Sequence, residues 1–113
     1  MVPGEIYLAY FPYGDAPAWK LRPVLLLTPP IGPVPELLVA YITTVLPALL
    51  LPSDLILDPA DADHAATRIK KKSIVRLHKL ATMHQSTIVR KLGELPPTLQ
   101  TEVKDRLRDL LNW

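Results

Sequence analysis

The chain has no cysteine. That excludes a disulfide framework, a thiolate nucleophile and a cysteine-ligated zinc site. Aromatic residues are scarce, 6% of 113 residues against 49% hydrophobic, so aliphatic side chains must fill the interior. Glycine occurs only four times, and no P-loop, dinucleotide fingerprint, HExxH or GxSxG motif is present. The three histidines are His64, His78 and His84. No third ligand accompanies the His78/His84 pair, so neither a metal nor another cofactor is expected. The opening MVPGEIYLAYF has no basic segment ahead of an apolar core, unlike a signal peptide. Leu37 to Leu51 is the most apolar stretch, but Thr43, Thr44 and Pro47 interrupt it. It is also shorter than the roughly 20 residues that span a bilayer. A soluble cytoplasmic protein is the expectation.

Proline, by contrast, is abundant at thirteen residues. It removes a backbone donor and blocks helix interiors, which argues for short strands joined by fixed turns. Glu5 to Phe11 alternates with period two, placing Ile6, Leu8 and Tyr10 on one strand face. Pro12 and Gly14-Asp15 open a loop running to about Lys20. Pro23 to Thr28 (PVLLLT) is a continuous apolar run, as in a strand buried on both faces. Leu37 to Thr43 is a third strand, and Ser53 to Leu57 a fourth. Residues 58–72 are polar and irregular. Ser73 to Leu77 and Thr87 to Leu92 read as further strands, with His78 to Ser86 as a connection. Pro97 suits a first helical turn, and Leu99, Val103, Leu107 and Leu110 then form one apolar stripe. The expectation is one domain over residues 1–113, mainly β with a C-terminal helix. A small SH3-like β-barrel would span about 4–93 and the helix about 97–111.

Charge is divided between the halves. Residues 1–64 carry two Lys/Arg against seven acids, a balance of −5; residues 65–113 carry eleven against four, a balance of +7. A basic half suits a polyanion, either nucleic acid or an acidic protein tail; a solvated charged face is the plainer reading.

Basic and hydroxyl side chains are therefore the available chemistry. RNA cleaves itself when its 2′-hydroxyl attacks the adjacent phosphorus. An enzyme assists with a fixed cation for the pentavalent phosphate, donors for its oxygens and proton-transfer groups. Arg22 lies between the loop and an apolar strand, and its forked guanidinium suits phosphate. Thr43 and Thr44 end the apolar strand VAYI, where a rigid element would hold their hydroxyls. On local sequence alone, an ordinary surface arginine and ordinary strand threonines are the commoner case.

Several strings together resemble the MazF/PemK toxin family, in its PemK-like branch. These are GEIYLAYFPYGD, KLRPVLLLTP, VAYITT, SDLILDP and KKKSIVRLHKLATMHQSTIVRKLGEL, in that order and spacing from Gly4 to Leu111. The resemblance implies an SH3-like barrel of MazF/CcdB/Kid type, usually a homodimer. It implies metal-independent, sequence-selective cleavage of single-stranded RNA, leaving a 2′,3′-cyclic phosphate and a 5′-hydroxyl. Arg22 and Thr43 would be catalytic, and the Phe11 to Lys20 loop a flap over the RNA. The partner would be a cognate antitoxin whose acidic, disordered tail fills the RNA groove.

The chain departs from the family where Thr67, Arg68 and Ile69 replace a Gly-Leu, and where His78 replaces an acid after Arg76. His78 is thus either a third catalytic residue, since imidazole titrates near neutrality, or a hydrogen-bonded surface histidine. Trp19 is a candidate for base stacking, alternatively for packing on a dimer partner. Lys20, Thr44, Arg76, Lys79, Arg90 and Lys91 are candidates for the RNA backbone. Two rivals remain: a gyrase poison like the fold relative CcdB, and a non-catalytic SH3-like binding module. Leu46 to Leu51 with Trp19 forms an apolar surface suited to dimerisation.

Overall fold

A computed structural model of the chain describes residues 1–12 and 19–113, without the side chains of Phe11, Pro12 and Trp19. The expected flap connects the first two strands; its residues 13–18 and the Trp19 side chain lie outside the described residues. Six strands are described: β1 (Glu5–Pro12), β2 (Trp19–Leu26), β3 (Glu36–Thr43), β4 (Asp54–Leu57), β5 (Ser73–His84) and β6 (Ile88–Glu94). They form one antiparallel half-barrel sheet in the order β4-β5-β3-β2-β1-β6. Helix α1 (Pro97–Leu111) follows. No described helix is long and apolar enough to cross a membrane.

The apolar runs of β2 and β3 serve both sheet faces. Leu25, Ala40 and Ile42 join a core with Ile6, Leu57, Val75 and the α1 residues Leu99 and Val103. Their sequence neighbours Val24, Leu26, Leu37 and Val39 join a second cluster with Ala9 and Met83. Alternation of side chains across the pleat distributes one aliphatic run between two cores.

Three expectations are corrected. First, β2 begins at Trp19 and ends at Leu26, earlier than the expected Pro23–Thr28. Its first residues extend the hairpin with β1 as far as Pro12↔Trp19. Second, His78 to Ser86 is not a connection, because β5 continues to His84 and pairs along β3 from Glu36 to Thr43. The polar residues that suggested a break fall in a bulge: Ala40 faces Leu80 while Tyr41 faces Arg76. Leu77, His78 and Lys79 are therefore extra residues against β3, and the Leu77 N–H donates instead to the Ser53 carbonyl at 2.9 Å. Third, the apolar stripe of α1 buries Leu99 and Val103 and packs Leu107, but leaves Leu110 exposed.

In the polar segment, Ala62–Thr67 forms a 3₁₀ helix, capped by the Asp61 carboxylate at Asp63 N–H and ending at Arg68 with φ 55°. This turn lies against β6 at Gly93. A Cβ on Gly93 would collide with the Thr67 carbonyl and come within 2.7 Å of the Ala66 carbonyl oxygen. Both obstacles are backbone, so the cost cannot be relieved by a rotamer change. Gly93→Ala is expected to destabilise the fold by about 3 kcal/mol, at the upper end for overpacking. A melting temperature about 10 °C below the parent would register this; an unchanged one would refute the contact.

Candidate active site

β2 and β3 pair as Val24↔Tyr41, Leu25↔Ala40 and Leu26↔Val39. Carried two residues further, that register sets Arg22 opposite Thr43. Directly opposed side chains on one sheet face have Cβ atoms roughly 5 Å apart. On the other side of Arg22 stands Ala9 of β1.

Arg22 and Thr43 accordingly line one small cavity of about 80 Å³, with Pro23, Tyr41, Ile42, Thr44 and Val45. Arg22 is half-buried and its Nε is shielded from solvent. Thr43 is buried, and its hydroxyl oxygen accepts the Val45 N–H at 3.0 Å. That bond fixes the side chain and leaves the hydroxyl proton free to be donated. Thr44, the next residue, is exposed at the rim. Tyr41, 4% exposed, is a lining residue that the sequence reading did not single out. Its two-residue offset from Thr43 on a strand was the available signal.

His78 does not join this cavity. Its Nδ1 lies 2.7 Å from Ser53 Oγ and 4.0 Å from Asp54 Oδ1, and it lines a separate apolar hollow with Pro52, Arg106 and Leu110. Arg76 grips Asp54, with Nε 2.9 Å from Oδ1 and Nη2 3.3 Å from Oδ2. Burial raises the Asp54 pKa, but the Leu51 N–H and Arg76 outweigh it and hold the carboxyl below its ordinary value.

The remaining cations divide into engaged and open ones. Lys91 Nζ is 2.6 Å from Glu5 Oε2 and 3.8 Å from Glu94 Oε2. The hydrogen bond to Glu5 raises the Lys91 pKa above its ordinary value. Lys20, Lys79 and Arg90 are exposed and make no ion pair among the described residues. No group of three or more His, Cys, Asp or Glu that could hold a metal is gathered among the described residues.

The cavity lies between the two central strands, β3 and β2, of a half-barrel sheet followed by a C-terminal helix. Solved structures share the fold. The Mycobacterium tuberculosis toxin MazF-mt6 superimposes with a TM-score of 0.71 at 22% identity, covering 96% of each chain. An endoribonuclease in complex with its cognate antitoxin from Mycobacterial species gives 0.69 at 17% identity, over 99% of this chain and 95% of that one. MazF from Deinococcus radiodurans gives 0.65 at 17%, over 99% and 96%. No curated protein sequence matches the chain. The family model of the PemK-like, MazF-like toxin of type II toxin-antitoxin system matches residues 2–111, and the chain belongs to that family.

Proposed function

We propose that the chain is a cytoplasmic, sequence-selective endoribonuclease that cuts single-stranded RNA without a metal, as the toxin of a type II toxin–antitoxin pair. The observation that carries this reading is the meeting of Arg22 and Thr43 in one cavity. The RNA 2′-oxygen attacks the adjacent phosphorus, and the bond to the 5′-oxygen breaks. A 2′,3′-cyclic phosphate and a 5′-hydroxyl result, with the 2′-proton removed and a proton returned to the leaving oxygen. Arg22 supplies positive charge to the pentavalent phosphate, where charge develops. The Thr43 hydroxyl donates to one of its oxygens. We assign no proton-transfer step to His78, which Ser53 holds elsewhere.

A homodimer and an acidic-tailed antitoxin complete the proposal. The segment after Thr43 supports the first: Val45 is 74% and Leu49 73% exposed, an apolar surface that association would cover. The basic second half supports the second, and MazF from Deinococcus radiodurans has also been solved as MazE-MazF.

The test is incubation of purified protein with mixed-sequence single-stranded RNA in EDTA. Cleavage is expected in the parent. In Thr43→Ala the rate is expected to fall about a hundredfold, as on loss of one transition-state donor. Gyrase inhibition without RNA cleavage would replace this reading with that of a CcdB-like poison. The absence of both activities would leave a binding module.

A further inference from the structure

Arg68, Lys70, Lys71 and Lys72 place four cations within five residues, and all four are exposed. The strand register fixes where they sit. Lys72 immediately precedes β5, whose Ile74 pairs with Thr43 on β3. Arg22 flanks Thr43 on the opposite side. With strands about 4.8 Å apart and about 3.3 Å per residue, the Lys72 backbone lies roughly 12 Å from that of Arg22. This is slightly beyond the screening length of about 10 Å at 0.1 M salt, so the run would meet phosphates beside the cavity by direct contact and not through its field over the cavity itself.

The run is held firmly and left unneutralised. At its front, Arg68 N–H donates to the Ala65 carbonyl and Thr67 Oγ1 to the His64 carbonyl, while Ile69 packs on the core. Behind it, Ser73 Oγ donates to the Lys71 carbonyl at 2.8 Å. Of the acids of the same connection, Asp58 accepts from Ala60 N–H and Asp61 from Asp63 N–H, while Asp63 is exposed. No carboxylate pairs with Lys70, Lys71 or Lys72 among the described residues. Arg76 and Lys91, by contrast, are taken up by Asp54 and by Glu5.

We propose that Lys70, Lys71 and Lys72 grip the RNA backbone phosphates beside the cleaved bond, forming the main electrostatic subsite of the chain. This rests on the ribonuclease reading. Contacts to phosphate are independent of base sequence, so the subsite would set affinity and its salt dependence.

The test uses a fully 2′-O-methylated RNA of about twelve nucleotides, long enough to cover a small β-barrel site and lacking the nucleophile. Binding is titrated against salt for the parent, for Lys70→Gln/Lys71→Gln/Lys72→Gln and for the helix control Lys104→Gln/Arg108→Gln. The triple variant is expected to bind at least about tenfold more weakly at moderate salt, its log–log salt slope shallower by about 2 to 3. The control is expected to stay near the parent. Equal losses in both variants would reduce the effect to net charge and overturn the inference. So would parent-like RNA binding by the triple variant with weakened binding of poly-glutamate, which would make the run a dock for an acidic protein segment. Parallel incubation with unmodified RNA separates the two levels. A parent that cleaves, with a triple variant that binds like it, refutes the subsite alone. A parent that neither cleaves nor binds refutes the ribonuclease reading and the subsite with it.

Discussion

Arg22→Ala is expected to lower RNA cleavage about a thousandfold, the scale on which a cation or donor aimed at a transferring phosphoryl group acts. The residue is half-buried within β2, between Ala9 and the Thr43 position, so its backbone is held on both sides. A charge already in place needs no reorganisation as the phosphate becomes pentavalent, which is why its removal falls on the chemical step. Arg22→Lys is expected to recover only part of the rate, because an ammonium offers a point charge without the planar fork. Single-turnover rates at saturating RNA measure both, with far-ultraviolet circular dichroism confirming that the sheet is intact. A folded Arg22→Ala protein that cleaves at the parental rate would remove Arg22 from the mechanism.

Local patterns carried much of the fold. The β1 alternation was legible in Ile6, Leu8 and Tyr10, yet Ile6 and Ala9 are the residues fully buried. The register with β2 is unbroken, so Ile6 and Ala9 lie on opposite faces, Ile6 in the core with α1 and Ala9 in the second cluster. Periodicity marks the two faces but does not tell that both are covered. The β5 bulge hid its strand for a different reason: His78 and Lys79 interrupt the apolar pattern because they oppose nothing on β3. α1 was legible almost to the residue, since Pro97 and the Leu99/Val103 spacing are local signals.

The cavity was less legible. Arg22 and Thr43 stand twenty-one positions apart, and no spacing rule joins them. Their family resemblance named them, and the β2–β3 register brings them together. The charge pattern did not sort the cations by their partners. Arg76 and Lys91 looked as available as Lys79 and Arg90, but strand pairing sets Asp54 against Arg76 and Glu5 close to Lys91. Which cations are open to a polyanion is decided by tertiary pairing, beyond the reach of composition. Lys70 to Lys72 are exposed, and the two acids Asp58 and Asp61 before them accept backbone N–H groups of their own turns.

Arg76→Met is expected to destabilise the protein by about 3–5 kcal/mol at neutral pH, the cost of leaving one member of a buried ion pair alone. The Asp54 side chain is 0% exposed, so water cannot replace the lost guanidinium. Adding Asp54→Leu is expected to recover most of the loss, because the orphaned charge goes with it. About 1 kcal/mol would stay missing, since Leu51 N–H loses its acceptor. The pH dependence distinguishes this from simple loss of packing. In the parent, burial opposes ionisation of Asp54, but the Leu51 N–H and Arg76 prevail and the folded pKa lies below 3.8. That contribution is present above pH 3.8 and is lost as pH falls through the folded value. Without Arg76, burial pushes the folded pKa upward, and protonation then relieves the variant while it weakens the parent. Urea denaturation at neutral pH and near pH 4 should therefore show the gap between Arg76→Met and parent narrowing with acidity. A gap of constant size would mean that Arg76 stabilises the sheet through its aliphatic stem rather than through Asp54.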